Sequence, residues 1–211
     1  MIAASSYDCV IISETKLDDS FSTEQFLIPG YKTPYRADRN AFGGGLLVYI
    51  KESLKSKRTE NFEEKGIESI CFEINLRKVK WAIIATYNPP SASNENFQNS
   101  TIKSIDNFTS HYDNFIIIGD LNLVPTNPYL KTICSSLGLT NLIKQPTCYK
   151  PNCNPSSIDV TLTNRRNHFK NSTTIETSLS DFHKLILTTW KSSLPKHHPE
   201  IKHYRDFRKF T

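Results

Sequence analysis

An unbroken apolar run that ends in Gly-Asp-Leu-Asn is the feature that most constrains how this 211-residue chain can fold. Residues 115–118 read Phe-Ile-Ile-Ile, and three β-branched residues in such a run predict a strand buried on both faces. Asp120 and Asn122 follow, and strand alternation directs both to the same side. The carboxylate can orient or deprotonate a water, and the amide can donate to a phosphoryl oxygen. The same residues also suit an ordinary turn, so both interpretations stay open.

Other predicted strands also end in reactive or charged side chains. The apolar segment 10–13 ends at Glu14, and the segment 81–86 ends at Tyr87, directly before a chain-breaking Asn-Pro-Pro. Asp159 lies in an alternating segment between two apolar neighbours. A carboxylate in such a position needs a hydrogen-bonding partner or a metal to offset its desolvation.

Acidic side chains thus recur at strand ends, and Asp181 adds another one shortly before the apolar run 185–187. Mg²⁺ prefers oxygen ligands and commonly takes only one or two carboxylates, keeping several waters. A metal held in this way neutralises charge on a phosphodiester and stabilises the leaving oxygen. The pattern therefore predicts a hydrolytic site that uses Mg²⁺, with Mn²⁺ as an alternative.

Six motifs occur in a fixed order: Ser-Glu-Thr-Lys-Leu, Gly-Gly-Gly-Leu-Leu-Val-Tyr-Ile, Tyr-Asn-Pro-Pro, Gly-Asp-Leu-Asn, Ser-Ile-Asp-Val-Thr-Leu-Thr-Asn and Leu-Ser-Asp-Phe-His-Lys-Leu-Ile. Over about residues 7–190 they resemble the endonuclease/exonuclease/phosphatase superfamily, in particular the apurinic-type endonuclease domain of jockey-like non-LTR retrotransposons. The resemblance implies an α/β four-layer sandwich, with two mixed β-sheets packed face to face and helices outside. It also implies a Mg²⁺-dependent domain that nicks DNA and was originally fused to a reverse transcriptase domain.

The resemblance implies a role for each matching residue. Glu14 and Asp181 would bind the metal, and Asp120 would position the attacking water. Asn122 would bind the scissile phosphate. Tyr87 would contact that phosphate or stabilise the pentacovalent transition state.

The remaining matches lie in the last third of the chain. Asp159 would orient the catalytic histidine through its ring N–H, with His183 as the candidate. Thr147 matches a family threonine that hydrogen-bonds near the site. We group it with Arg165 and Arg166, which lie in a basic segment after the fifth motif, as the expected DNA-binding residues.

Two departures from the family pattern bear on activity. The family's first strand, which carries an Asn, has no counterpart, because the chain starts in what resembles the following helix. In Ser-Asp-Phe-His, Phe182 takes the histidine position and His183 comes one residue late. One residue changes the face of a strand, so only a bulge would return His183 to the site. The alternative function is therefore a catalytically weak or inactive transposon-derived fragment that at most binds nucleic acid.

Composition predicts one domain at 1–192, followed by a basic linker or tail at 193–211. With 37% hydrophobic residues the chain can bury a full core. It contains no apolar stretch near 18 residues and no signal-peptide pattern. The five cysteines, an odd number, favour reduced thiols. We expect an intracellular protein, nuclear or cytoplasmic, without a membrane partner or a small-molecule cofactor.

The formal charge of +5 is concentrated in short segments, at 51–58, 77–80 and 164–170. Basic clusters suit binding to a phosphate backbone, and they also suit an ordinary solvated surface. Hydrophobic periodicity predicts strands at 8–13, 45–50, 68–75, 81–87, 115–119, 157–162 and 184–190, and helices at 94–111 and 128–138.

Overall fold

The structure, a computed structural model, describes residues 7–191. The expected tail at 193–211 lies outside the described residues, so the domain boundary near 192 stays a prediction. The strands are β1 (Cys9–Ser13), β2 (Tyr35–Ala37), β3 (Leu46–Ile50), β4 (Lys55–Arg58), β5 (Glu68–Leu76), β6 (Val79–Tyr87), β7 (Phe115–Asp120), β8 (Thr140–Asn141), β9 (Asp159–Thr163), β10 (Phe169–Ile175) and β11 (Leu185–Trp190). The α-helices are α1 (Asn94–Thr109) and α2 (Pro128–Ser136).

Two layers of β-structure face each other. One is a six-stranded mixed sheet in the order β4-β5-β6-β7-β9-β8, in which β6 and β7 are parallel and all other neighbours are antiparallel. The opposite layer contains the three-stranded sheet β1-β3-β2 and the two-stranded sheet β10-β11. Strand β1 lies against β6 and β7, and β11 lies against β9. The predicted sandwich of facing sheets is confirmed.

The six-stranded sheet is buried on both faces, as its continuous apolar runs predict. On β6, Ala82 and Ile84 belong to the core that includes the helix residues Phe97 and Ile105. Their neighbour Ile83 belongs to the second core, which fills the space between the two β-layers. Both helices therefore cover the same face of the sheet. Within residues 7–191, no helix is both long and apolar enough to cross a membrane.

The layer opposite the six-stranded sheet is divided in two. Strand β1 pairs only with β3, and β11 pairs only with β10, so each has an edge without a strand partner among residues 7–191. The apolar side chains of Ile11 on β1 and Ile118 on β7 are only partly buried, although both pack against the core between the layers. An absent first strand remains a prediction, and these open edges are compatible with it.

All seven predicted strands form, with bounds shifted by up to two residues, and both helices end about two residues earlier than expected. Strands β2, β4, β8 and β10 were not predicted. Strand β4 reads Lys-Ser-Lys-Arg and lies at the edge of its sheet, where backbone pairing with β5 holds it. Such polar edge strands lack the apolar signal from which buried strands are recognised.

Gly119 allows β7 to approach β6 closely just before Asp120. Its φ of 150° falls outside the range that other residues normally adopt, and an added Cβ would lie 1.8 Å from the carbonyl oxygen of Thr86. That contact involves backbone, which cannot move aside as a flexible side chain can. The glycine is therefore required to hold the end of β7 beside the end of β6.

We predict that Gly119→Ala lowers the free energy of unfolding by at least about 3 kcal/mol, the upper end of usual overpacking costs. Gly66→Ala is the matched control, because Gly66 also has a positive φ but no atom within 4 Å of its added Cβ. The control should lose only about 1–2 kcal/mol, the cost of the left-handed conformation. Urea unfolding measures both. Equal losses in the two variants would contradict the close approach.

Candidate active site

The candidate site lies where several strands end, at the mouth between the two β-layers. Strands β7 and β9 pair antiparallel with Asp120 directly opposite Asp159. On one face of such a pair the two Cβ atoms are about 4.5–5.5 Å apart, and like charges in this position repel. Tyr87 ends the neighbouring β6, and Glu14 follows β1 in the facing layer. Four of the predicted site residues therefore come from the ends of four different strands.

His183 completes the arrangement from the facing layer. Its Nδ1 lies 3.1 Å from Oδ2 and 3.3 Å from Oδ1 of Asp159, and 4.0 Å from Oδ2 of Asp120. An imidazole N–H at Nδ1 therefore donates to Asp159. This hydrogen bond, followed by the negative charges of both aspartates, raises the pKa of His183 above its ordinary value. The ring is half-buried and its orientation is fixed by the carboxylate behind it.

A short antiparallel pairing places His183, and not Phe182, beside Asp159. Residues 147–149 and 182–184 are joined by two backbone hydrogen bonds of 2.8 Å, which place His183 opposite Cys148. Phe182 alternates to the other side, where its side chain is 41% exposed. The expectation that Phe182 occupies the histidine position is wrong. No bulge is needed, because β11 begins only at Leu185 and the preceding segment takes its register from 147–149.

Thr147 holds Asp159 in place from inside the protein. The side chain is fully buried, and its Oγ1 accepts the backbone N–H groups of Ile158, at 3.2 Å, and Asp159, at 3.1 Å. A residue with no exposed surface cannot touch DNA. The expected DNA-binding role of Thr147 is therefore wrong, and its place is that of a positioning residue.

Tyr87 and Glu14 form a hydrogen-bonded pair across the two layers. The Tyr87 hydroxyl donates to Oε1 of Glu14. Burial, and then this bond to a carboxylate, raise the pKa of Tyr87 well above its ordinary value, so the hydroxyl remains a proton donor at neutral pH. Glu14 has a φ of 56°, and such a left-handed conformation in a residue other than glycine stores backbone strain.

Asn122 also has a left-handed backbone, with a φ of 49°. Its backbone N–H donates to Oδ1 of Asp120 at 2.9 Å, and its Nδ2 donates to the carbonyl oxygen of Asn88 at 2.9 Å. A carboxamide nitrogen carries two protons, so one N–H of Asn122 is left for a ligand. The tight turn thus ties the amide to the carboxylate that precedes it.

Burial is the largest cause that raises the pKa of Asp120 well above its ordinary range, and the facing charge of Asp159 is the next. The Asn122 N–H and His183 partly offset these effects. Among the described residues, Asp120, Asp159 and His183 are the one group of three whose ligand atoms all lie within 4.8 Å of one another. Two opposed carboxylates of high electrostatic energy fit a divalent cation, which would neutralise both.

The expected metal ligands Glu14 and Asp181 do not belong to this group. Asp181 is exposed, and its place beside His183 in the chain does not bring its carboxylate into the cluster. Glu14 is bonded to Tyr87 and acts on Asp120 only as the smallest of the effects that raise its pKa. The expectation that Asp181 binds the metal with this cluster is therefore wrong, and metal binding by Glu14 stays a prediction.

Arg165 and Arg166 lie at the end of the sheet opposite the cluster, and their expected contact with DNA stays a prediction. Arg165 follows β9 and donates through Nε to Oδ1 of Asn114 at 3.0 Å, and Asn114 directly precedes β7. Asp120 and Asp159 are at the other ends of these strands, about 17–20 Å away for a strand of this length. Sequence proximity to the fifth motif does not imply spatial proximity, because an antiparallel strand carries the chain away from its first residue.

Sequence reasoning missed Asn88 and Cys148. Asn88 is buried and binds the Asn122 amide, and its position after an apolar strand and before Pro-Pro was the available signal. The Sγ of Cys148 lies 3.5 Å from Nε2 of His183. No sequence pattern indicates that contact, since it arises from the pairing of two irregular segments.

Comparison with known proteins gives one family and a set of similar folds. A sequence model described as the Endonuclease/Exonuclease/phosphatase family matches residues 1–196. The endonuclease domain of TRAS1, a telomere-specific non-LTR retrotransposon, has a TM-score of 0.65 at 15% identity, over 78% of this chain and 81% of that chain. The AP endonuclease LMAP from Leishmania major has a TM-score of 0.70 at 13% identity, over 89% and 79%.

The 3′ phosphatase NExo from Neisseria, bound to a product DNA hairpin, has a TM-score of 0.66 at 11% identity, over 90% of this chain and 91% of that chain. At these identities the structural matches establish the shared fold. No curated protein sequence matches the chain significantly.

We predict that Thr147→Val destabilises the protein by about 1–3 kcal/mol, because two buried backbone N–H groups lose their acceptor without a change in side-chain volume. Thr147→Ser is the matched control and should retain most of the stability, since it keeps the hydroxyl. Thermal and urea unfolding of the two variants measure the difference. A valine variant as stable as the serine variant would show that the hydroxyl does not hold this strand.

Proposed function

Because the chain belongs to the endonuclease/exonuclease/phosphatase family, we propose that it hydrolyses phosphodiester bonds as the DNA-nicking endonuclease domain of a retrotransposon. The observation that carries the proposal is the cluster of Asp120, Asp159 and His183 at paired strand ends. Buried acid groups beside an oriented imidazole are the equipment of general acid–base chemistry. The family and the fold support hydrolysis of a phosphate ester, and the likeness to the TRAS1 domain supports the choice of DNA and the original fusion to a reverse transcriptase domain.

In this proposal each side chain acts where the structure holds it. Asp159 accepts the Nδ1 proton of His183 and thereby fixes the orientation of the ring. Asp120, which ends β7 at the site, orients the attacking water and takes its proton. The free N–H of Asn122 and the hydroxyl of Tyr87 donate to the phosphoryl oxygens as charge develops on them.

Enzymes of this family typically depend on a divalent metal. The carboxylates of Asp120 and Asp159 would hold the ion here, while His183 keeps its hydrogen bond to Asp159. We propose Mg²⁺, with Mn²⁺ as a substitute, because both accept oxygen ligands and Mg²⁺ commonly binds through one or two carboxylates. When bound, the ion supplies neutralisation of the phosphate and stabilisation of the leaving oxygen.

The rim of the site carries a group suited to a nucleobase. Phe42, at the tip of the turn 40–43, is 95% exposed. Backbone hydrogen bonds hold this turn beside the segment that follows Glu14. The N–H of Thr15 donates to the carbonyl oxygen of Gly45, and the N–H of Lys16 donates to that of Gly44. An aromatic ring held in water beside a phosphodiesterase site can stack on a base, and such stacking tolerates any sequence. We propose that Phe42 contacts the nucleic acid.

The alternative function, an inactive fragment that at most binds nucleic acid, rested on two departures of the sequence from the family pattern. The first was the late histidine, and the position of His183 beside Asp159 supports an active site instead. The second was the first strand with its Asn, for which the sequence shows no counterpart, and its absence stays a prediction.

We predict that the 211-residue chain nicks supercoiled plasmid in the presence of Mg²⁺ and that EDTA abolishes the reaction. His183→Asn should lower the rate by about 10²–10⁴, the usual cost of losing a positioned acid–base group. Phe182→His should change the rate little, because residue 182 faces away from Asp159. Conversion to the open circular form measures each rate.

Asp113→Asn is the control for this experiment, because Asp113 is exposed and precedes β7 at the end opposite the site. It should leave the rate unchanged. A gain of activity in Phe182→His, or full activity in a folded His183→Asn protein, would contradict the assignment of the histidine. Absence of nicking by the folded parent chain with Mg²⁺ and Mn²⁺ would favour the inactive alternative.

A further inference from the structure

A thiol and an imidazole meet next to the catalytic cluster. The Sγ of Cys148 lies 3.5 Å from Nε2 of His183, on the side of the ring opposite Asp159. The two residues face each other in the pairing of 147–149 with 182–184, so backbone hydrogen bonds fix their separation. Asp159 therefore binds one ring nitrogen and Cys148 contacts the other.

This separation matches two ligands of one soft metal ion. Zinc is bound at about 2.3 Å by cysteine sulfur and about 2.0–2.1 Å by histidine nitrogen, which puts the two ligand atoms about 3.6 Å apart around a tetrahedral ion. A histidine that binds a metal usually donates its other N–H to a carboxylate, and Asp159 already accepts that proton. Sulfur, imidazole and supporting carboxylate are thus arranged as in a zinc site, and water would fill the remaining positions.

We propose that Cys148 and His183 form a binding site for a soft divalent cation, Zn²⁺ or Cd²⁺, and that occupancy of this site inhibits the enzyme. The inhibition rests on the proposed function, because it follows from the loss of His183 Nε2 to the ion. The binding itself does not depend on that function.

The approach to this site is open. Cys148 is only 2% exposed, but His183 lines an open depression of about 260 Å³. Asp181 lines the same depression and attracts cations, whereas Glu176 there is paired with Lys184 at 2.7 Å. An ion reaches the histidine from this side.

The exchange needs no oxidant or reductant. Burial raises the pKa of the Cys148 thiol, so the free site carries S–H at neutral pH. The bound ion replaces that proton, which leaves to solvent, and forms one bond to the thiolate and one to Nε2. Hard Mg²⁺ does not compete for sulfur, whereas the oxygen cluster of Asp120 and Asp159 lies on the other side of the ring.

The test compares two proteins that lack the exposed thiol of Cys153, namely Cys153→Ser and Cys148→Ser/Cys153→Ser. Titration with Cd²⁺ is followed by the ultraviolet charge-transfer absorption of a cadmium–thiolate bond, which reports on cysteine ligands alone. The single variant should show this absorption and the double variant should lose it. Equal absorption in both, or none in the folded single variant, would overturn the proposal.

If the double variant does not fold, as judged by the lack of a cooperative thermal transition, a second variant tests the proposal. This variant carries Asp159→Asn in the Cys153→Ser protein. Loss of a carboxylate behind a metal-binding histidine weakens the metal by about 10–100-fold, so the Cd²⁺ titration should shift by that factor. An unshifted titration would show that His183 is not a ligand and would overturn the proposal.

Inhibition is measured separately, as the Zn²⁺ concentration that halves plasmid nicking at fixed Mg²⁺. Measured against each variant's own rate without Zn²⁺, Cys148→Ser/Cys153→Ser should require at least about tenfold more Zn²⁺ than Cys153→Ser, since the strong sulfur ligand is gone. Equal sensitivity would overturn the inhibitory role. A protein that binds Cd²⁺ through Cys148 but does not nick DNA would refute the proposed function and leave the metal site standing.

Discussion

The rest of the site depends on the pairing that sets Asp120 directly opposite Asp159. Two carboxylates at adjoining strand ends are unstable against each other, and burial increases the cost. Three hydrogen bonds offset part of that cost. The backbone N–H of Asn122 donates to Asp120, and the imidazole of His183 donates to Asp159. The hydroxyl of Thr147 accepts the backbone N–H of Asp159 at the start of β9. The negative charge that remains on the two carboxylates makes the cluster suitable for a divalent cation.

Much of the site could be predicted from the sequence, because buried strands have a recognisable apolar pattern. The runs that form β6, β7 and β9 are continuously apolar or regularly alternating, and their ends locate Tyr87, Asp120 and Asp159 without knowledge of the fold. The facing sheets were expected from the resemblance to the family, which six motifs in a fixed order carry. Polar edge strands such as β4 stayed hidden, since their stability comes from backbone pairing instead of burial.

The predictions failed where the side-chain alternation of a strand was applied to segments that are not part of a strand. Phe182 was given the histidine position by counting residues, but the register of 182–184 is set by its pairing with 147–149, which the sequence does not reveal. Arg165 followed a site motif in sequence and yet lies a strand's length away. The left-handed turns at Glu14 and Asn122, each worth about 1–3 kcal/mol of strain, were equally invisible, although such strain is concentrated at functional sites.

The central claim is that His183 is the histidine of the site and is held by Asp159, and the pKa of its imidazole tests this most directly. NMR titration of the metal-free protein, with the resonance assigned by His183→Asn, should give a pKa above the ordinary histidine value. Asp159→Asn should lower that pKa, because it removes the acceptor of the Nδ1 proton and a nearby negative charge, whereas Asp181→Asn should leave it nearly unchanged. A pKa at the ordinary value that does not respond to Asp159→Asn would contradict the claim.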